Sequence, residues 1–413
     1  MYKLLLKFTK NNDLKNYILS EIFSKLSPII NIFLFLNFLS VEQFGELANI
    51  NVIFSFLALL IANGSYTYFT SQFFKKTAIE NARVVSAGLI ISFAITILLI
   101  LIYLIFQNYF NSFLSINTIF LILLIISSFF NSFSKTFFSF LRVNFKSKSY
   151  LYNSIIFNFS LLAGTYILLA CLNLELETRV VILFSSNIII FLIGFYELRD
   201  MIFTKFSVHD LSEIFSFGYG TIFHNLSFFL KDGAYKFLIT IYIGLEFNAY
   251  FSLIFYHVFF LQSINIAYFN YFSPILINGI SHNNYTKKSV KKMILNYSIV
   301  FLILSVCIGL VMYLLIYLYK PNYFLALPFV KYIIFYSFFY CINTFPSQFF
   351  FIKKKPNLLS KISFSSSFLV VFFSFFFFEY GFKQMDIFLF IITIGSAIQF
   401  YFTYSMGVKL IKE

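Results

Sequence analysis

Glu21 and Lys25 stand four residues apart in a long apolar stretch, and Asp232 and Lys236 repeat that spacing later in the chain. An acid and a base one helical turn apart share a face, so each pair can neutralise itself and ease insertion or lock helices. Lys135, Lys231 and Lys331 lie in similar apolar surroundings without such a neighbour. A lysine held there acts as a point charge for phosphate or another anion. Glu21 and Asp232 are candidates to carry a coupling proton or sodium ion, although the lysine beside each favours its charged form and weakens a proton-carrier role. Cys171, Cys307 and Cys341 show neither CxxC nor Cys/His spacing, so no metal site or disulfide framework is expected. No GxxxxGK[ST] run binds a nucleotide, and no cofactor is expected.

The elements that must hold these residues follow from composition. The chain has 413 residues, of which 60% are hydrophobic and 11% charged, with a mean hydropathy of +0.86. Soluble domains carry about 25% charged residues. A chain this apolar resides in lipid, where only helices and closed barrels satisfy the backbone. Ten-residue alternation is absent and long continuous runs are present, which selects helices of about 20 residues. Breaking the runs at polar clusters predicts twelve spans, near 15–39, 46–71, 84–106, 117–141, 150–172, 180–198, 214–243, 248–272, 293–318, 328–352, 359–378 and 387–408. The seventh is overlong and expected to bend, with Gly233 at hand to permit it. The 66 Phe and 29 Tyr read as coding bias and carry no functional weight. Lys3, Lys7 and Lys10 precede an apolar run without a small-residue cleavage site, so the chain is expected to insert and stay.

A net charge of +14 suggests nucleic acid in a soluble protein, but here it marks topology. Of the 30 Lys and Arg, 22 fall on one side of the predicted spans and three, Arg179, Lys320 and Lys383, on the other. Lys25, Lys135, Lys231, Lys236 and Lys331 are the five within spans. The basic side, which includes both termini, is expected to be cytoplasmic. No loop exceeds about 20 residues, too short for a soluble catalytic domain.

Six spans on either side of the segment 199–213 suggest a duplication, with lobes at 1–200 and 201–413. Leu19-Ser20-Glu21-Ile22-Phe23-Ser24 recurs as Leu211-Ser212-Glu213-Ile214-Phe215-Ser216, and Glu42-Gln43-Phe44-Gly45 corresponds in position to Glu246-Phe247-Asn248-Ala249. Such repeats are parallel, related by an axis along the membrane normal, and bind substrate between them.

The run Leu39-Ser40-Val41-Glu42-Gln43-Phe44-Gly45-Glu46-Leu47-Ala48, followed by Phe54-Ser55-Phe56-Leu57-Ala58-Leu59-Leu60 and Asn63-Gly64, resembles the first external loop and second span of polysaccharide flippases. The twelve-span, two-lobed layout is also similar to that family, part of the multidrug, oligosaccharidyl-lipid and polysaccharide export superfamily. Span seven departs from its pattern: the family often has an acid directly followed by a base, whereas Asp232 is followed by Gly233. The resemblance implies a flippase in the bacterial cytoplasmic membrane, not an enzyme, that moves a polyprenyl-diphosphate-linked oligosaccharide such as an O-antigen repeat unit. It implies membrane lipids and other polysaccharide-assembly proteins as partners.

Five intramembrane bases against two acids suit that anionic cargo. Lys231, near the middle of span seven, is too deep to snorkel and is the leading candidate. Span four carries Ser128, Asn131, Lys135, Ser139 and Arg142 at helical spacing, a polar stripe expected to face a lumen. Lys25, Lys236, Lys331 and Asn225 complete the candidates, although Lys331 is close enough to a span end to snorkel. His224 and Asn225 suit either a lumen or an interhelical hydrogen bond. His257 is expected to be a packing histidine, and Pro28 and Pro346 are expected to kink their helices. The competing functions are a drug or small-solute antiporter, which would favour unpaired acids, and a membrane-embedded glycan-processing enzyme, which would need a large external loop.

Overall fold

The computed structural model describes residues 12–74, 76–108, 117–172, 176–281, 286–353, 355–382 and 384–411, and among them it is helical without strands. Eleven helices are long and apolar enough to cross a membrane. By contact the chain divides into two units, Met1–Ser40 with Ile50–Asn225, and Val41–Asn49 with Leu226–Glu413. This division differs from a cut at residue 200 by exchanging a piece of each half.

Unit 1 contains α1 (Asn12–Phe38), most of α2 (Val41–Ala62), α3 (Ser65–Gln72), α4 (Ala78–Ile105), α5 (Thr118–Val143), α6 (Ser147–Ala170) and α7 (Glu177–Ile202), and the larger part of α8 (Val208–Phe229). The single predicted span 46–71 is two helices, because Asn63 and Gly64 take left-handed φ values of 41° and 66° and end the first. Helix α4 starts from a capping box in which the Thr77 N–H donates to Glu80 Oε2 at 2.7 Å and the Glu80 N–H donates to Thr77 Oγ1 at 3.3 Å. Ser207 and Asp210 form a similar box at α8. The unit's core joins Phe133, Phe137 and Leu141 of α5 to Val84 and Val85 of α4 and to Ile190 and Leu198 of α7, with Ile214 of α8 at its edge. Small polar residues let α1 and α6 approach closely, Ser154 donating to the Ser20 carbonyl and Ser27 to that of Asn158.

Unit 2 begins, after the last turn of α8, with a π turn at Leu230–Ala234, followed by α9 (Tyr235–Tyr242), α10 (Leu245–Ser281), α11 (Lys287–Tyr319), a 3-10 segment (Pro321–Phe329), α12 (Val330–Ile342), α13 (Thr344–Ile352), α14 (Pro356–Glu379) and α15 (Met385–Lys409). The expected seventh span, 214–243, is therefore a broken helix, and its polar residues keep it out of the eleven. The bend expected at Gly233 falls inside the π turn. Predicted span ten divides at Asn343 into α12 and α13. The core of unit 2 packs Leu261 and Phe269 of α10 against Tyr297 and Phe301 of α11, Phe345 and Phe349 of α13, and Val408 at the end of α15.

His257 is fully buried, with Nε2 2.8 Å from the Ser305 carbonyl and Nδ1 2.8 Å from Ser337 Oγ. Because a carbonyl only accepts, Nε2 carries the proton, and the Ser337 hydroxyl donates to Nδ1 in the neutral ring. This is the packing histidine expected from its isolation. All three cysteines are free, and no group of three potential metal ligands occurs among the described residues.

Candidate functional site

The polar residues of α5 part company according to what packs on each side. Ser128 and Ser139 are buried, and Ser128 Oγ donates to the Leu124 carbonyl one turn back at 2.8 Å. Asn131 donates to Asn187 Oδ1 of α7 at 3.1 Å, and Asn187 in turn donates to Ser127 Oγ at 3.3 Å. Asn131 thus ties α5 to α7. Lys135 differs: from Phe120 to Leu141 it is the exposed position, every other residue being buried or half-buried. Helix α4, by contrast, exposes Ile90, Phe93, Ile97, Leu98 and Leu101 as a lipid-facing stripe. No such stripe accompanies Lys135, whose ammonium lies 5.8 Å from the Tyr66 ring centroid. Arg142 is exposed in the last turn of the same helix.

On α1, Glu21 is exposed and Lys25 half-buried. Lys236 of α9 lies two residues beyond the π turn, with its ammonium 5.7 Å from the Phe255 ring centroid. Lys331 sits exposed in the first turn of α12 with its ammonium 4.9 Å from the ring of Tyr332, the placement expected of a snorkelling lysine. The side chains of Lys231, Asp232, His224 and Asn225 lie outside the described residues. Their backbone places Lys231 and Asp232 within the π turn, an insertion frequently found at functional sites. The candidates accordingly divide between the units, with Lys25, Lys135 and Arg142 in unit 1 and Lys231, Lys236 and Lys331 in unit 2.

Two polar clusters were not legible as sites in the sequence. In unit 2, Asn248 at the start of α10 donates to the Gly45 carbonyl at 2.9 Å and to Asn49 Oδ1 at 3.0 Å, while Asn49 donates to Thr240 Oγ1 at 3.1 Å. The corresponding corners of the two sequence halves are therefore seated on each other. Gly45 is required there, since a Cβ would stand 2.2 Å from the Leu245 carbonyl oxygen. Phe44 completes the corner edge-on to Tyr323 at 6.1 Å.

In unit 1, Lys76 lies 2.7 Å from Glu213 Oε2, which also accepts from the Tyr68 hydroxyl at 2.5 Å, and His209 Nδ1 is 3.8 Å from the other carboxylate oxygen. Hydrogen bonds from Lys76 and then Tyr68 hold the Glu213 carboxyl below its usual range. Burial pulls Lys76 down, but hydrogen bonds to Glu213 and Tyr68 outweigh it and the ammonium pKa rises. Nearby, Gly218 approaches the Asn63 turn so closely that a Cβ would lie 2.3 Å from its carbonyl oxygen. Distant sequence positions form both clusters, so only a pairing of the two halves could have revealed them.

Unit 2 also holds a narrow cleft lined by neutral polar side chains, among them Tyr235, Tyr336, Asn343, Ser367 and Gln399, with Gln399 donating to Ser363. No charged side chain lines it.

Neither a protein-family model nor a curated protein matches the sequence. Solved structures do match the fold. An inward-facing multidrug resistance MATE family transporter of the MOP superfamily superposes with a TM-score of 0.72 at 12% identity, over 94% of each chain. An outward-facing transporter of the same description gives 0.62 at 13% identity, over 96% of this chain and 95% of that one. A MOP superfamily transporter from Pyrococcus furiosus, described as having a binding pocket of reversed polarity that suggests a different function, gives 0.66 at 11% identity over 96% and 95%. The chain thus has the two-lobed, all-helical MATE-like fold of a multi-pass membrane protein.

Proposed function

We propose that this protein is a flippase that carries polyprenyl-diphosphate-linked oligosaccharide repeat units, O-antigen or a related surface polysaccharide, across the bacterial cytoplasmic membrane. The observation that carries the reading is Lys135: the exposed position in the middle of an otherwise packed spanning helix is a cation with no lipid-facing apolar stripe beside it. An ammonium in hydrocarbon costs about 2.5–3.5 kcal/mol on insertion scales, so it belongs to a hydrated, anion-accepting lumen. The five-to-two excess of intramembrane bases over acids has the same sign.

In this reading, Lys135, Lys231, Lys25 and Lys236 neutralise the diphosphate within a central cationic cavity, with Arg142 at its rim. Alternating access moves the sugar and diphosphate through water while the prenyl tail stays in lipid, avoiding the desolvation of many hydroxyls. Glu21 and Asp232 are the coupling candidates. The work is transport, not catalysis, and the partners are the lipid-linked glycan, membrane lipids and other polysaccharide-assembly proteins.

Lys135→Ala and Lys231→Ala, each with expression verified, should abolish surface glycan and accumulate undelivered lipid-linked repeat units. Normal surface glycan in both variants would refute the cationic lumen. A second reading, drug or small-solute antiport within the same superfamily, is favoured by the multidrug description of the fold's neighbours. It predicts drug hypersensitivity with normal surface glycan when the gene is deleted.

A further inference from the structure

Helix α11 is 33 residues long, about 50 Å at 1.5 Å per residue, and exceeds the roughly 30 Å of a bilayer's hydrocarbon core. Its first two turns carry Lys287, Lys288, Lys291 and Lys292. Val290 and Ile294 turn inward onto Phe349, Val408 and Ile411, which fixes this end of the helix against the ends of α13 and α15. Those ends bring Lys353, Lys355 and Lys409 to the same rim. Lys288, Lys291 and Lys292 are exposed, and along the same face above them run the exposed side chains Leu295, Ile299, Ile303, Leu310 and Leu314. The lysines therefore stand on a lipid-facing stripe, one turn below its first apolar residue.

Topology alone does not explain this rim. Acids contribute little to the orientation signal, so an orienting basic loop is free to contain them. Unit 1 shows such mixing: Lys76 pairs with Glu213, Arg199 lies 3.7 Å from Asp200, and Glu80 and Asp210 close helix caps on the same end. In unit 2, the chain holds no Asp or Glu between Glu246 and Glu379, while like charges repeat at the i,i+4 spacing in Lys287/Lys291 and Lys288/Lys292. Such pairs repel along a helix. The chain supplies no acid near this rim in sequence, and its place beside the apolar stripe is the depth of lipid phosphates.

We infer that the lysine-rich end of unit 2 is a docking surface for the headgroups of anionic phospholipids. Each lysine near an anionic membrane surface is worth about fivefold in partitioning. The full-length protein in nanodiscs of mixed phosphatidylcholine and phosphatidylglycerol, released into detergent and weighed with its retained lipid by native mass spectrometry, should keep phosphatidylglycerol preferentially. K288Q/K291Q/K292Q should reduce that preference at least about fivefold. K146Q/K148Q/K205Q, which removes three exposed charges from unit 1, should leave it intact, and K288R/K291R/K292R should retain it. The Arg variant also guards against a folding defect in the Gln variant, since loss of preference in both would overturn the inference. Unchanged preference in the Gln variant would overturn it too. So would inorganic phosphate displacing the bound phosphatidylglycerol, which would mark a soluble-anion site, or a polyprenyl diphosphate displacing it mole for mole, which would make the rim a cargo site.

Discussion

Each unit holds a short stretch that sequence order assigns to the other half, and the two are secured by different chemistry. In unit 2, Val41–Asn49 is fixed by neutral amides, Asn248 to Gly45 and Asn49, and Asn49 to Thr240. In unit 1, the beginning of α8 is fixed by charge, with Glu213 taking Lys76 and the Tyr68 hydroxyl. Both corners rely on a glycine at a backbone contact, Gly45 in one and Gly218 in the other. The shared glycine shows that close approach is the common requirement. The contrast in polar groups shows which corner responds to solution conditions: amide hydrogen bonds do not titrate, whereas a carboxylate and an ammonium titrate and are screened by salt.

The glycines give the largest test of this contrast. Gly45→Ala drives a Cβ into the Leu245 carbonyl at the rigid start of a helix and should cost about 3 kcal/mol, read as a lowered Tm in detergent. Gly218→Ala meets Asn63, in a two-residue turn that can give way, and should cost about 1 kcal/mol. Equal losses would remove the distinction between a rigid and a yielding contact.

Asn248→Ala comes next. It removes two hydrogen bonds from a fully buried amide and strands the Gly45 carbonyl and Asn49, with an expected cost of about 2 kcal/mol that is the same at every pH from 5 to 9.

Glu213→Gln is the smallest in magnitude, no more than about 1 kcal/mol for a half-exposed pair, and it differs in kind. The folded-state pKa of Glu213 is depressed, so its contribution is complete above the unfolded carboxyl value and is lost as pH falls through the folded one. That of Lys76 is raised, so its share is complete below the ordinary lysine value and lost as pH rises through the folded one. Wild type should exceed E213Q in stability across the interval between those ranges, converge with it at either end, and lose part of the margin in high salt. A pH-independent margin would show that the corner is held by packing alone.

The fold class, the position of most spans and the packing role of His257 follow directly from hydropathy and residue isolation. Broken spans were less legible. Asn63-Gly64 ends α2 through left-handed backbone in the middle of an apolar run, and hydropathy carries no record of a dihedral angle. The stripe on α5 was legible as a pattern but not in its parts: Ser128, Asn131 and Lys135 share helical spacing, yet their surroundings differ because α7 covers one flank of the stripe. Lys76 and Glu213 read as ordinary loop charges, since nothing in a single sequence pairs positions that far apart.

The π turn at Leu230–Ala234 means that the seventh span contains one residue more than an unbroken α-helical ladder would use. Deleting Gly233 lets that ladder close, and at 3.6 residues per turn it swings every following side chain of α9 through about 100° about the helix axis. Lys236 would leave the face of Phe255, and Tyr235 would leave the edge of Phe388. A single codon thus works as a rotary setting for the cation on this helix, changing its direction while its charge and depth stay nearly the same.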